Sequence, residues 1–300
     1  MISKSLTAEE FRCLPQTQRN IKNFRLLIDG DREECFSYLD KKNLEAFKLV
    51  RKERRHLVFE YLDEKTLEAF KLVSPENRNE VFKYLDRKDI EAFKLVPQHE
   101  LVRASLFQYL DPDQRNFEAF KLVSPYFYSR AIAFKFLNPK SIEAFKLIPA
   151  AFRWEVFKYL SPEQRNDETF KLVYEGDYDW SGWISSKTFG LLSFFEPTNV
   201  IEEDDSLESL YFHGDRYLAF EHLTTKTIQA FKIVPEKDRH KVFKFLDQKN
   251  IEAFMLVPKK NRHLVFEFLD DEIRKEAIKF VPSENIGFIS KYLPNSIHNK

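Results

Sequence analysis

Nine arginines recur at one position of a repeated pattern, and they are the residues best suited to bind an anion. Each stands four residues before a phenylalanine, as Arg78 stands before Phe82. A guanidinium presents its donors in a fixed fork that matches phosphate and carboxylate oxygens. The main interpretation is nevertheless a stacked row of arginines bonded to glutamates or to helix C-terminal carbonyls, and a phosphate or RNA site is the alternative. The arginines considered for anion binding are Arg55, Arg78, Arg103, Arg130 and Arg153.

A second candidate site is an acidic, aromatic-rich stretch that interrupts the pattern at residues 174–215. It holds ten acidic residues, one lysine and two of the three tryptophans. Exposed aromatic side chains beside acidic ones are typical of loops that bind proteins. We predict contact with a protein partner; the alternative is an inserted loop whose rings pack on neighbouring repeats. The predicted contact residues are Tyr178, Trp180, Trp183, Phe189, Glu202, Glu203, Asp204 and Asp205.

The sequence carries no pattern that indicates catalysis. The seven histidines show no metal-binding spacing, and no Gly-rich phosphate loop or Gly-x-Ser-x-Gly motif is present. The acidic run from Glu202 to Asp205 lacks the spacing of an EF-hand. We therefore predict a protein that is not an enzyme and that uses no metal and no cofactor.

The amino-acid composition limits the classes of protein to which this chain could belong. The 300 residues include 48 Lys+Arg and 48 Asp+Glu, so the formal net charge is zero. Nucleic-acid binders depend on a basic excess, and this balance disfavours that class. The longest apolar stretch, residues 190–195, is far shorter than a membrane span, and the N-terminus has no secretory pattern. We expect a cytoplasmic protein with no membrane partner.

An internal repeat defines the elements that must position these side chains. The phrase Glu-Ala-Phe-Lys-Leu-Val, here called segment B, recurs with its central Phe 23 to 27 residues apart, except for one gap of 61. A second phrase, segment A, runs from the recurrent Arg to a Leu seven residues later, as from Arg78 to Leu85. The segment A phenylalanine lies 11 to 13 residues before the central residue of segment B. Each repeat therefore consists of one segment A followed by one segment B.

The periodicity predicts that both segments are helices of about ten residues. Arg78, Val81, Phe82 and Leu85 fall at i, i+3, i+4 and i+7, on one helical face. Ser-Pro and Asp-Pro pairs are typical of helix starts, and we interpret the recurrent Asp after segment A, such as Asp86, as an N-cap. Because an isolated helix of this length is marginal in water, the pairs must stack on one another.

These observations predict an all-α fold. We expect a solenoid of short antiparallel helix pairs, with about ten regular units and one degenerate unit, elongated or arc-shaped. Helical repeats would occupy residues 1–173, the insertion with a degenerate repeat residues 174–215, and further repeats with a C-terminal cap residues 216–300. All three would form one continuous domain. Cys13 and Cys35 take repeat positions that we interpret as core.

One repeat resembles the core of an F-box. It has Ser-Pro at residues 74–75, the apolar pair Val81 and Phe82, a Tyr-Leu-Asp turn at residues 84–86 and a closing Leu-Val at residues 95–96. The resemblance implies docking to the adaptor subunit of a ubiquitin ligase. The chain departs from the family because the motif recurs along its length. Near-identical tandem copies are also similar to repeat proteins of host-manipulating bacteria and large DNA viruses, which implies an effector in the host cytosol.

Three functions follow as hypotheses. The first is a non-enzymatic scaffold that binds a protein partner through the solenoid surface and the insertion. The second is an F-box-like ubiquitin-ligase adaptor. The third is phosphate or RNA binding through the row of arginines, which steep loss of binding with salt would reveal.

Overall fold

The computed structural model describes residues 5–99, 101–125, 128–175 and 215–293. These residues are mostly helical, and their only β-type pairing is one isolated bridge between Leu6 and Leu27. The prediction of an all-α chain is confirmed for this part of the sequence. The chain divides into two compact units, residues 1–139 and 140–300. That division does not coincide with the predicted boundaries at residues 174 and 215.

The first unit consists of short α-helices and 3-10 helices. Its α-helices are Ala8–Cys13, Ile21–Phe24, Arg32–Cys35, Leu44–Leu49, Arg55–Val58, Leu67–Lys71, Arg78–Val81, Ile90–Lys94, Val102–Leu106, Phe117–Lys121 and Ser129–Phe134. Its 3-10 helices are Gln16–Gln18, Phe36–Tyr38, Lys52–Arg54, Phe59–Tyr61, Pro75–Asn77, Phe82–Tyr84, Phe107–Tyr109 and Pro112–Gln114.

The second unit has the same two kinds of element. Its α-helices are Ile142–Lys146, Ala150–Val156, Asp167–Tyr174, Ile228–Ile233, Arg239–Val242, Ile251–Met255, Arg262–Val265, Asp271–Ala277 and Ile286–Ile289. Its 3-10 helices are Phe157–Tyr159, Pro162–Gln164, Arg216–His222, Glu236–Asp238, Phe243–Phe245, Lys259–Asn261, Phe266–Phe268, Ile278–Phe280, Ser283–Asn285 and Ser290–Tyr292.

Segment B helices begin at a polar residue four positions before the central Phe. Asn43 accepts a hydrogen bond from the Ala46 N–H at 3.0 Å, and Asp89 accepts one from the Ala92 N–H at 2.9 Å. Such caps satisfy N–H groups that the first helical turn leaves without a partner. The sequence prediction missed this position. The capping residues are Asn43, Thr66, Asp89, Asn116, Ser141, Asn166, Thr227 and Asn250.

Segment A is not the single ten-residue helix that the periodicity predicts. In the repeat around Phe82, a 3-10 helix over Pro75–Asn77 leads into one α-helical turn over Arg78–Val81, and Phe82–Tyr84 is again 3-10. Leu85 then leaves the helix with φ −52° and ψ 140°. Segment A of this repeat is short because the extended Leu85 ends it.

The prediction that the recurrent aspartate after segment A is an N-cap was wrong for Asp63 and Asp86. Asp111 and Asp270 precede a helix without a side-chain cap bond, and Ser161, at the equivalent position of another repeat, does cap a helix. The Asp86 carboxylate accepts the Lys65 N–H at 2.6 Å, while the Asp86 N–H donates to the Lys65 carbonyl at 3.2 Å. Asp63 makes the same pair of bonds with Lys42, at 2.7 and 3.1 Å. This position therefore ties the connector of one repeat to that of the preceding repeat. Asp111 and Asp247 repeat the arrangement on Lys88 and Lys226.

The core of each unit is a series of edge-to-face phenylalanine rings that alternates between the two segments. Consecutive centroids lie 5.8 to 6.3 Å apart, and each of these pairs adds roughly 0.5–1.5 kcal/mol beyond burial of the rings. In the first unit the series is Phe11, Phe24, Phe36, Phe47, Phe59, Phe70, Phe82, Phe93, Phe107, Phe120 and Phe134. In the second it is Phe145, Phe157, Phe170, Phe220, Phe231 and Phe243, with a further pair of Phe254 and Phe266.

The two cysteines differ in burial. Cys35 is fully buried, as predicted, but Cys13 is exposed. Cys13 occupies the position two residues after a segment A phenylalanine, where the repeats carry Tyr, and that position faces outward.

Candidate functional site

The recurrent arginines bind main-chain carbonyls at the C-terminal ends of segment B helices. Arg78 donates from Nε to the Val73 carbonyl at 3.2 Å and from Nη2 to the Lys71 carbonyl at 3.1 Å. Its Nη1 donates to the Leu95 carbonyl of the following segment B at 3.2 Å. One guanidinium therefore joins the ends of two successive segment B helices.

Electrostatics explains why arginine is used there. Helix C-termini carry partial negative charge, and a cation between two of them is stabilised. Burial lowers the pKa of the Arg78 guanidinium from its usual value. The row of arginines is therefore accounted for by main-chain partners, and anion binding stays a prediction.

The same geometry recurs at most of the arginines considered for anion binding. Arg55, Arg103 and Arg153 each donate to three or more main-chain carbonyls. Arg130 donates from Nε to the Val123 carbonyl at 3.4 Å. The formal charge outside residues 174–215 is +9.

A row of aromatic side chains lies on the outward side of segment A, two residues after the position of the buried phenylalanine, which is Ser290 in the last described repeat. We call it the ring row. Its most exposed members are Tyr38, Tyr61 and Tyr109, with exposed fractions of 43%, 45% and 41%. Cys13 and His222 replace the ring in two repeats. The complete ring row is Tyr38, Tyr61, Tyr84, Tyr109, Phe136, Tyr159, Phe245, Phe268 and Tyr292.

Charged side chains surround the ring row. The Lys83 ammonium lies 4.8 Å from the Tyr84 ring centroid, and the Lys244 ammonium lies 4.7 Å from that of Phe245. The neighbouring carboxylate of Glu60 raises the pKa of the Tyr61 phenol. Amphipathic rings with adjacent charges can form apolar, cation–π and hydrogen-bonded contacts with a partner.

The residue four positions before each ring completes this surface and varies between repeats. It is Leu57 before Tyr61, but Glu80 before Tyr84. Residues four apart are neighbours on a helix. The face thus combines a constant ring with a variable neighbour. The sequence signal for this face is the recurrent Tyr, which by itself indicates only that the sequence repeats.

The predicted partner-binding residues of the insertion, Tyr178 to Asp205, lie outside the described residues. The described residues on either side of it contact each other. The rings of Phe170 and Phe220 have centroids 5.8 Å apart, and the Thr224 N–H donates to the Arg165 carbonyl at 3.0 Å. The phenylalanine series therefore passes directly from Phe170 to Phe220.

Buried polar groups lie where the insertion leaves the array. Asp238 and Arg216 have exposed fractions of 5% and 6%, and the Asp238 carboxylate pairs with Lys241 at 2.9 Å. The Tyr174 ring packs on Phe170 with centroids 5.5 Å apart. Burial, with a smaller effect of Asp238, raises the pKa of the Tyr174 phenol. In most other segment B helices the position of Tyr174 is proline or serine, so this helix extends further.

A metal site and a membrane span are both absent from the described part of the chain. No cluster of three or more His, Cys, Asp or Glu side chains there could hold a metal ion. None of the helices in those same ranges has both the length and the apolar character of a membrane span. One open cleft of about 460 Å³ lies between two connectors, lined by Glu163, Asp167 and Thr227 among others. Its Asp167 carboxylate accepts a hydrogen bond from the Thr227 hydroxyl at 2.9 Å.

Comparisons with protein-family models, curated proteins and solved structures found no match to this chain.

Proposed function

We propose that this chain is a non-enzymatic scaffold that binds a protein partner through the ring row and through residues 174–215. The observation that carries the proposal is the ring row, an aromatic side chain held at one outward position in nine repeats. In eight of these repeats the phenylalanine two residues earlier is fully buried and supplies the core, and Tyr38, Tyr61 and Tyr109 are exposed. Half-exposed Tyr and Phe are among the residue types enriched at protein interfaces.

The scaffold is, in this proposal, a solenoid of antiparallel helix pairs. Three contacts that recur between successive repeats support it: the phenylalanine series, the aspartate bonds between connectors and the arginine bonds to segment B carbonyls. Each contact joins nearest neighbours along the chain, as expected of a repeat array. Such an array would present the ring row of each unit on its surface, and we propose that the protein is cytoplasmic.

The insertion adds the second part of the surface. Its composition, with two tryptophans and a formal charge of −9 over residues 174–215, suits contact with a basic or aromatic partner surface. The contact between Phe170 and Phe220 supports this role, because the phenylalanine series continues without residues 176–214.

Quantitative affinity purification tests the proposal. The baits are the full chain, a variant with Tyr61, Tyr84 and Tyr109 changed to Ser, and a chain lacking residues 176–214. The matched control changes Lys71, Lys94 and Lys121 to Ser, on the exposed side of segment B in the same repeats. We expect proteins that the full chain and the lysine control retain and that the tyrosine variant or the deletion loses. Identical captures by all four baits would contradict the proposal, and recovery of a ubiquitin-ligase adaptor would favour the F-box hypothesis.

A further inference from the structure

We draw no further inference here: the strongest candidate, the exposed apolar pair Leu264 and Phe288 on the outward face of the last two described repeats, is flanked by lysines and glutamates at the same spacings, and nothing in the structure shows what covers it.

Discussion

The rings of Phe170 and Phe220 meet edge to face, with centroids 5.8 Å apart and planes at 70°, although residues 171–219 lie between them in the chain. Their geometry matches that of rings in consecutive repeats, such as Phe157 and Phe170 at 5.9 Å and 69°. The repeat that contains Phe220 thus packs on the repeat that contains Phe170 as a nearest neighbour. The phenylalanine series does not depend on residues 176–214.

Removal of residues 176–214 should therefore leave the repeats folded. We expect a chain with a short Gly-Ser linker in their place to melt cooperatively within about 3 °C of the full chain. Phe220→Ala in the full chain is the contrasting variant, and loss of a buried ring should cost about 3–5 kcal/mol. Thermal melting, monitored by circular dichroism, measures the stability of both variants. A large drop for the deletion would show that the array needs the insertion.

Replacement of one arginine of the row should destabilise the protein. Arg78→Ala removes three charge-assisted hydrogen bonds to carbonyls, and we expect a loss of about 2–3 kcal/mol, because the side chain is partly exposed. Lys71→Ala, an exposed cation of the same repeat, is the matched control and should change little. Urea denaturation measures the free energy of unfolding of both variants. Equal midpoints would mean that the carbonyl contacts contribute nothing to stability.

The aspartate bonds between connectors predict a graded effect of substitution. Asp86→Ala removes the acceptor of the Lys65 N–H and should cost about 1 kcal/mol, whereas Asp86→Asn keeps an acceptor oxygen and should cost less. Glu64→Ala, in the preceding connector, is the control. Chemical denaturation of the three variants ranks them by the free energy of unfolding that each loses. A smaller effect of Asp86→Ala than of Glu64→Ala would contradict the assignment.

Stability should fall on acidification because of His240. Burial, with a smaller effect of Lys241, lowers the pKa of this imidazole, and its Nδ1 lies 3.1 Å from the Asn261 amide nitrogen. Because the pKa of this imidazole is lower in the folded protein than in the unfolded chain, its neutral form stabilises the fold at pH values above the unfolded pKa of about 6.5. This contribution to stability is lost as the pH falls below that value. His240→Gln should flatten the dependence of the melting temperature on pH between about 7 and 5. An unchanged slope would show that His240 does not cause the pH dependence.

Some of the architecture could be predicted from the sequence because it depends on spacing. The interval between the phenylalanines of segments A and B identified both helical segments and the buried rings, such as Phe82 and Phe93. Helix lengths could not be predicted in this way, because periodicity does not show where a cap or an extended leucine ends a helix. Asn43 and its equivalents act as caps, but their position became evident only from the hydrogen bonds.

The misassigned residues show where pattern alone is ambiguous. Asp86 has the right type for an N-cap, but its partner is an N–H of the preceding repeat, which only packing reveals. For Arg78 the sequence favours a carbonyl or a glutamate over an anion as the acceptor, and the distances identify three carbonyls as its partners. The frequent burial of free cysteine predicts a core position for Cys13, whereas its position in the repeat is exposed. The sequence did not reveal the ring row as a candidate surface, because a recurrent Tyr is as typical of a repeat as of a binding contact.

The most direct test of the account places a photo-crosslinking phenylalanine derivative at Tyr84, where an aromatic ring is already present. The matched position is Lys94, which is exposed on segment B of the same repeat. After irradiation with the proteins captured by the full chain, we predict a covalent adduct with a partner protein from position 84 and little or none from position 94. Adducts from position 94 alone, or equal yields from the two positions, would contradict the assignment of the ring row as the binding surface.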